Sequence, residues 1–184
     1  MTLLLILGGV AAFGLGIWLG LPGRYDQTPE DIEATARYWR GKIRFEAGAH
    51  AEASPDLMAV AALGGTRGAE SQFMLCQIAY ASGDYTATEQ ALFEFIQGYA
   101  NYDSWKHQAF LLLVDTYIAL ADWFQARATA ESILEYVQVE SIRSAATARL
   151  ATIDELELAE LNPPAASDST DTEPSTPEQN APQQ

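Results

Sequence analysis

Apolar residues along this chain fall into three regimes. The first is Leu3 to Leu21, LLLILGGVAAFGLGIWLGL, nineteen residues without a charge. As a helix this run is about 28 Å long, close to the hydrocarbon thickness of a bilayer. Pro22 and Gly23 end it, Arg24 follows, and Trp18 lies near that end, where an indole favours the headgroup zone. A cleavable leader is the rival reading, and it calls for a basic start, a shorter apolar stretch and a small-residue cleavage site. Leu21-Pro22-Gly23 offers no such site. The run therefore predicts one uncleaved transmembrane helix over 3–21, with the lipid bilayer as a partner. Within it Gly8, Ala12, Gly16 and Gly20 recur every four residues. That spacing lays small residues along one face, where a second membrane helix can approach and the chain can self-associate. The abundance of glycine in membrane helices explains the same pattern without association.

The second regime, from Thr28 to Leu161, has apolar residues at helical rather than alternating spacing. Thr28-Pro29-Glu30-Asp31 reads as a helix start: a hydroxyl cap, proline in the first turn and acids at the positive end of the dipole. Two stretches align at an offset of 38, AESQFMLCQIAYASGDYTATEQALFEFI from Ala69 and HQAFLLLVDTYIALADWFQARATAESIL from His107. Each predicts two helices about a tight turn. The first helix ends near Ser82 or Leu120, and the aspartate at 84 or 122 caps the second. The aromatic that follows, Tyr85 or Trp123, is expected to wedge between the pair. A last helix over 141–161 carries the stripe Ile142, Ala146, Leu150, Ile153 and Leu156, suited to closing the end of a stack. The third regime, 162–184, has no large apolar residue and is expected to be a disordered acidic tail.

Helix pairs repeating at this period mark a solenoid. The two stretches resemble tetratricopeptide repeats, on Leu75 and Leu113, the Gly83-Asp84-Tyr85 turn, and the small residues Ala126 and Ala130. The best copies are 69–102 and 107–138. A fainter copy begins at Ala34 and rests on Tyr38, Gly41, Phe45 and Gly48, with Ser54-Pro55 expected to restart its second helix late. Thr88 and Val114 stand where the family has small residues, and the period is longer than the family's. The membrane run and its sequel, LPGRYDQTPEDIE, are also similar to small single-span bacterial proteins. The fold class expected is thus all-α: a short solenoid of helical hairpins over 28–161, preceded by one transmembrane helix.

The resemblance implies a ligand groove on the first helix of each pair. Its residues would be Glu70, Phe73, Gln77 and Tyr80, then Gln108, Leu111, Asp115 and Ile118. Phe73 and Leu111 also read as core between repeats, the reading favoured for any single residue of the set. No lysine, arginine or asparagine is among the eight, so capture of a terminal carboxylate is not expected. An apolar or basic protein segment is the better match.

Charge narrows the function further. Residues 24–44 hold five basic and four acidic residues, a net +1, whereas 45–161 hold five basic and seventeen acidic, a net −12. An acidic body repels phosphate, so no nucleic-acid partner is expected. The cations Arg24, Arg37 and Arg40 flank the C-terminal side of the apolar run, which places the body in the cytoplasm. Their acidic neighbours leave open an exported body behind the same anchor. One cysteine and two histidines support neither a disulfide nor a metal centre, and no cofactor is expected. Asp154, Glu155 and Glu157 read as a solvated face, and Asp103 or Ser104, near His107, as a helix cap. Gly64 to Gly68 lacks the ending of a phosphate loop and reads as a linker. Tyr99, Tyr102 and Trp105 form either a contact surface or a cover for the repeat junction, and Cys76 a small buried hydrophobe. The expectation is a non-enzymatic scaffold holding a protein partner at the bacterial membrane. The alternatives are an exported envelope assembly factor and a regulatory subunit without catalysis of its own.

Overall fold

The structure, a computed structural model, describes residues 28–161. The segments 3–21 and 162–184 lie outside the described residues, and so do Gly8, Ala12, Gly16 and Gly20. Among the described residues no helix is long and apolar enough to cross a membrane. Seven helices and no strand occur among them: α1 (Pro29–Glu46), α2 (His50–Ala61), α3 (Gly65–Ala81), α4 (Tyr85–Gly98), α5 (Asp103–Ala119), α6 (Trp123–Tyr136) and α7 (Glu140–Leu161).

Local chemistry sets the helix starts. Thr28 accepts a bond from the Asp31 amide at 3.2 Å while the Asp31 carboxylate accepts the Thr28 amide at 3.0 Å, a reciprocal cap. Asp84 and Asp122 each accept the amide three residues on, at 3.0 Å, as their spacing predicted. The α5 start differs from expectation. Its N-cap is Tyr102, with no side-chain bond, while Asp103 sits inside the first turn and pairs with Lys106 at 2.6 Å.

The turn inside each hairpin is built alike. Gly48, Gly83 and Ala121 have φ of +74°, +81° and +56°, and all three reverse the chain at the same point between two helices. After each turn the second helix buries matching pairs: Ala53 and Leu57, Thr88 and Leu92, Ala126 and Ala130, all with no exposed surface. The first of these pairs corrects the expectation that Ser54-Pro55 delays its helix. α2 starts at His50 and runs through Pro55. Proline forfeits a bond to the preceding turn, and the Ser54 hydroxyl donates to the His50 carbonyl at 2.8 Å beside it.

Each helix packs on its neighbours in sequence, and α1, α3, α5 and α7 also lie side by side. These four form a continuous layer. α2, α4 and α6 make a second layer, each packed against the helices before and after it in the chain. Close approach is needed where the layers meet. A Cβ on Gly41 would stand 3.0 Å from the Leu57 side chain, and one on Gly68 would stand 3.3 Å from the Ala61 carbonyl. Gly68 belongs to the first turn of α3, which begins at Gly65, so residues 64–68 are a helix start and not a linker.

The core runs through all of this as two clusters. Tyr38, Ala53, Leu57, Val60 and Met74 fill the first hairpin and its contact with α3. The larger cluster continues from Ala69 and Phe73 through Leu92, Phe95, Leu113 and Ile133 to Ile142, Ala146 and Ile153 of α7. Leu150 is half-buried and Leu156 is exposed, so the stripe predicted for the last helix is covered as far as Ile153 and comes to the surface at Leu156. The connection 99–102 is short, and its aromatics fold back. Tyr99 stacks on Phe95 with centroids 5.2 Å apart and donates to the Ala61 carbonyl at 3.1 Å.

Candidate functional site

The face of the continuous layer carries a cleft of about 390 Å³ bounded by α1, α3 and α5. Lys42, Phe45 and Glu46 form one wall, Glu70, Phe73, Met74 and Gln77 the floor, and Ser104, Trp105 and Gln108 the other wall. Four of the eight residues predicted for a groove line this cleft: Glu70, Phe73, Gln77 and Gln108. The other four lie elsewhere on α3 and α5. Leu111 is 5% exposed and belongs to the core, and so does Phe73, although it also borders the cleft. Tyr80 packs on Tyr85 at 5.4 Å, a contact between the end of α3 and the start of α4. The counterpart of Tyr85, Trp123, packs against the larger core cluster and also reaches α7, donating from Nε1 to Glu160 at 2.6 Å.

The two acids of the predicted groove are engaged within the fold. Glu70 accepts the Tyr38 hydroxyl at 2.6 Å and the Lys42 ammonium at 2.7 Å, lacing α3 to α1. Burial, then the Glu70 bond, pushes the Tyr38 hydroxyl up from its ordinary pKa, while the same carboxylate raises that of Lys42. Asp115 receives both Nε and Nη2 of Arg149, at 2.7 and 2.6 Å, lacing α5 to α7. Such a forked pair fixes geometry as well as charge. Between α3 and α5 the link is apolar, Phe73 against Trp105 with centroids 5.8 Å apart. Ion pairs thus border the cleft on the α1 side, while an indole and two amides line its middle.

Lys42, Phe45 and Trp105 are not among the eight residues predicted for the groove. A sequence signal for two of them exists. Thr35, Tyr38, Lys42 and Phe45 stand 35 residues before Glu70, Phe73, Gln77 and Tyr80, so the register of the faint first copy reaches them. In the sequence Trp105 groups with the aromatics of a connection, although it lies in the first turn of α5.

A second cleft, about 350 Å³ and mostly apolar, opens on the other layer between α4 and α6. Phe93, Phe110, Leu113, Tyr117, Tyr136 and Val137 line it, with α5 as the floor between α4 and α6. Burial, reinforced by a bond to Glu89 at 3.0 Å, pushes the Tyr117 hydroxyl up to about 12. Among the described residues no group of three or more histidine, cysteine, aspartate or glutamate side chains is arranged to hold a metal. No protein-family model matches the chain, and comparisons with curated proteins and with solved structures likewise gave no match.

Proposed function

We propose that this chain is a membrane-anchored scaffold resembling tetratricopeptide-repeat proteins, which holds a protein partner against the continuous layer of helices and has no catalytic role of its own. The cleft bounded by α1, α3 and α5 carries the reading, because it joins the rings of Phe45 and Trp105 to the amides of Gln77 and Gln108, which can recognise a segment. In this reading a large apolar side chain of the partner enters between Phe45 and Trp105. Gln77 and Gln108 bond to the partner's backbone, and the exposed Glu46 favours a basic neighbour. Glu70 and Asp115 act at one remove, holding neighbouring helices in register. The uncharged run at 3–21 is the anchor, with the body on the cytoplasmic side.

Because Phe73 and Leu111 are core residues, truncating them would confound binding with folding. Gln77→Arg and Gln108→Arg leave the core intact and place charge and bulk in the cleft. In crosslinked purification of the full chain from membranes, each is expected to reduce a specific co-purifying protein about tenfold, with circular dichroism unchanged. Retention of every partner by both variants would remove the cleft from the proposal. A maleimide that reaches Ser169→Cys from outside intact cells would reverse the assigned side of the membrane.

A further inference from the structure

The two ends of the helix stack are finished differently. At one end α7 covers α5 and α6 and buries Ile142, Ala146 and Ile153. At the other, no described helix lies beyond α1. Tyr38 and Gly41 of α1 are buried toward α2 and α3, yet the opposite side of the helix is apolar as well. Ile32, Trp39 and Ile43 are 57, 51 and 62% exposed, and Ala36 is exposed between them. Their spacing of four, three and four residues is that of a coiled-coil seam, the pattern by which one helix packs lengthwise on another.

We propose that this seam pairs with the same seam of a second copy of the chain, making a two-fold symmetric dimer through α1. The charge distribution selects that occupant. Each copy carries a net −15, and the region after α1 accounts for most of it, so most faces of two copies repel. Residues 24–44 carry a net +1, and this is the part of the body where two like copies meet at little electrostatic cost. Beside the seam, Glu33 and Arg37 neutralise each other across 2.5 Å, while Arg40 and Arg44 are tied to Asp56 of α2. An interface that uses one patch on both partners closes after two copies and leaves nothing for a third.

Cys76 makes the test clean, because its thiol is fully buried and burial pushes it up to about 12. In the full chain, Ala36→Cys adds one accessible thiol at the middle of the seam. Mild oxidation of membranes holding this variant is expected to give a disulfide-linked species of about twice the 20.0 kDa chain mass. Ser132→Cys, on the far layer, is expected to give little. Adding Trp39→Glu to Ala36→Cys should lower the linked fraction about tenfold or more, with circular dichroism unchanged. Equal linking at positions 36 and 132 would overturn the proposal. So would linking that survives Trp39→Glu but is lost with Gly16→Ile and Gly20→Ile, which would assign association to the apolar N-terminal run. If the Ala36→Cys chain stays monomeric and its introduced thiol resists a water-soluble maleimide, lipid or the chain's own residues 1–27 cover the seam. If that monomer is freely labelled, nothing covers it, and either result rejects the dimer.

Discussion

At Ala121 an L-residue occupies a backbone conformation that its two counterparts, Gly48 and Gly83, adopt without steric cost. Left-handed φ costs an alanine about 1–2 kcal/mol, partly offset because glycine is looser in the unfolded chain. Ala121→Gly is therefore expected to stabilise the protein by about 0.5–1 kcal/mol, read as a higher urea midpoint at unchanged slope. A lower midpoint would show that the turn is not strained. This position is half-legible in the sequence. Aligning Gly83-Asp84-Tyr85 with Ala121-Asp122-Trp123 locates the turn and the capping aspartate. It does not reveal that Trp123 also donates to Glu160, a residue of a helix outside the repeat.

The first hairpin shows what element-scale patterns miss. α1 and α2 approach closely at Gly41, and the pair is clamped by Asp56, a carboxylate 4% exposed within α2. It accepts Arg40 Nε at 2.6 Å and Arg44 Nη1 at 3.0 Å, with a further bond from Arg40 to its other oxygen. The Arg40 bond, opposed by burial, holds the Asp56 carboxyl below its ordinary 3.8. A depressed value means stability fully present above the unfolded carboxyl's pKa and lost as pH falls through the folded one. Asp56→Asn keeps the shape but not the charge, and is expected to cost about 1.5–3 kcal/mol at neutral pH. The gap to the unaltered protein should narrow below the ordinary carboxyl value and close below the depressed one, as urea titrations at neutral and acid pH would read. A gap that persists in acid would mean the clamp is not electrostatic. Pro55 points the sequence reading to a late helix start because proline breaks helices on average. Here the burial of Ala53 and Leu57 on either side of it outweighs one missing hydrogen bond.

Across the whole molecule, stability depends on whether each hairpin's apolar side is covered by the next. α7 does this for the last hairpin, and Ile153, with no exposed surface, is its deepest anchor. Ile153→Ala is expected to cost about 2–5 kcal/mol, seen as a lower thermal midpoint with helical content kept at low temperature. A change under half a kilocalorie would mean that the stack does not need its cap. Helical class, the turns at Asp84 and Asp122 and the closing helix are readable from periodicity, because burial repeats with the turn of the helix, whereas the starts of α2, α3 and α5 are not. The cleft is readable only in part. Its floor follows the repeat register, whereas the ties of Glu70 and Asp115 to Lys42 and Arg149 depend on distances between helices that no linear pattern encodes. The alternation of the two layers has a kinetic consequence. Every contact in the stack joins a helix to the next one or the next but one, so the chain never waits for distant segments to meet. Such local wiring favours fast folding that can start at any hairpin. The protein can therefore acquire structure in order as it emerges from the ribosome, each hairpin templating its successor before the last residues are made.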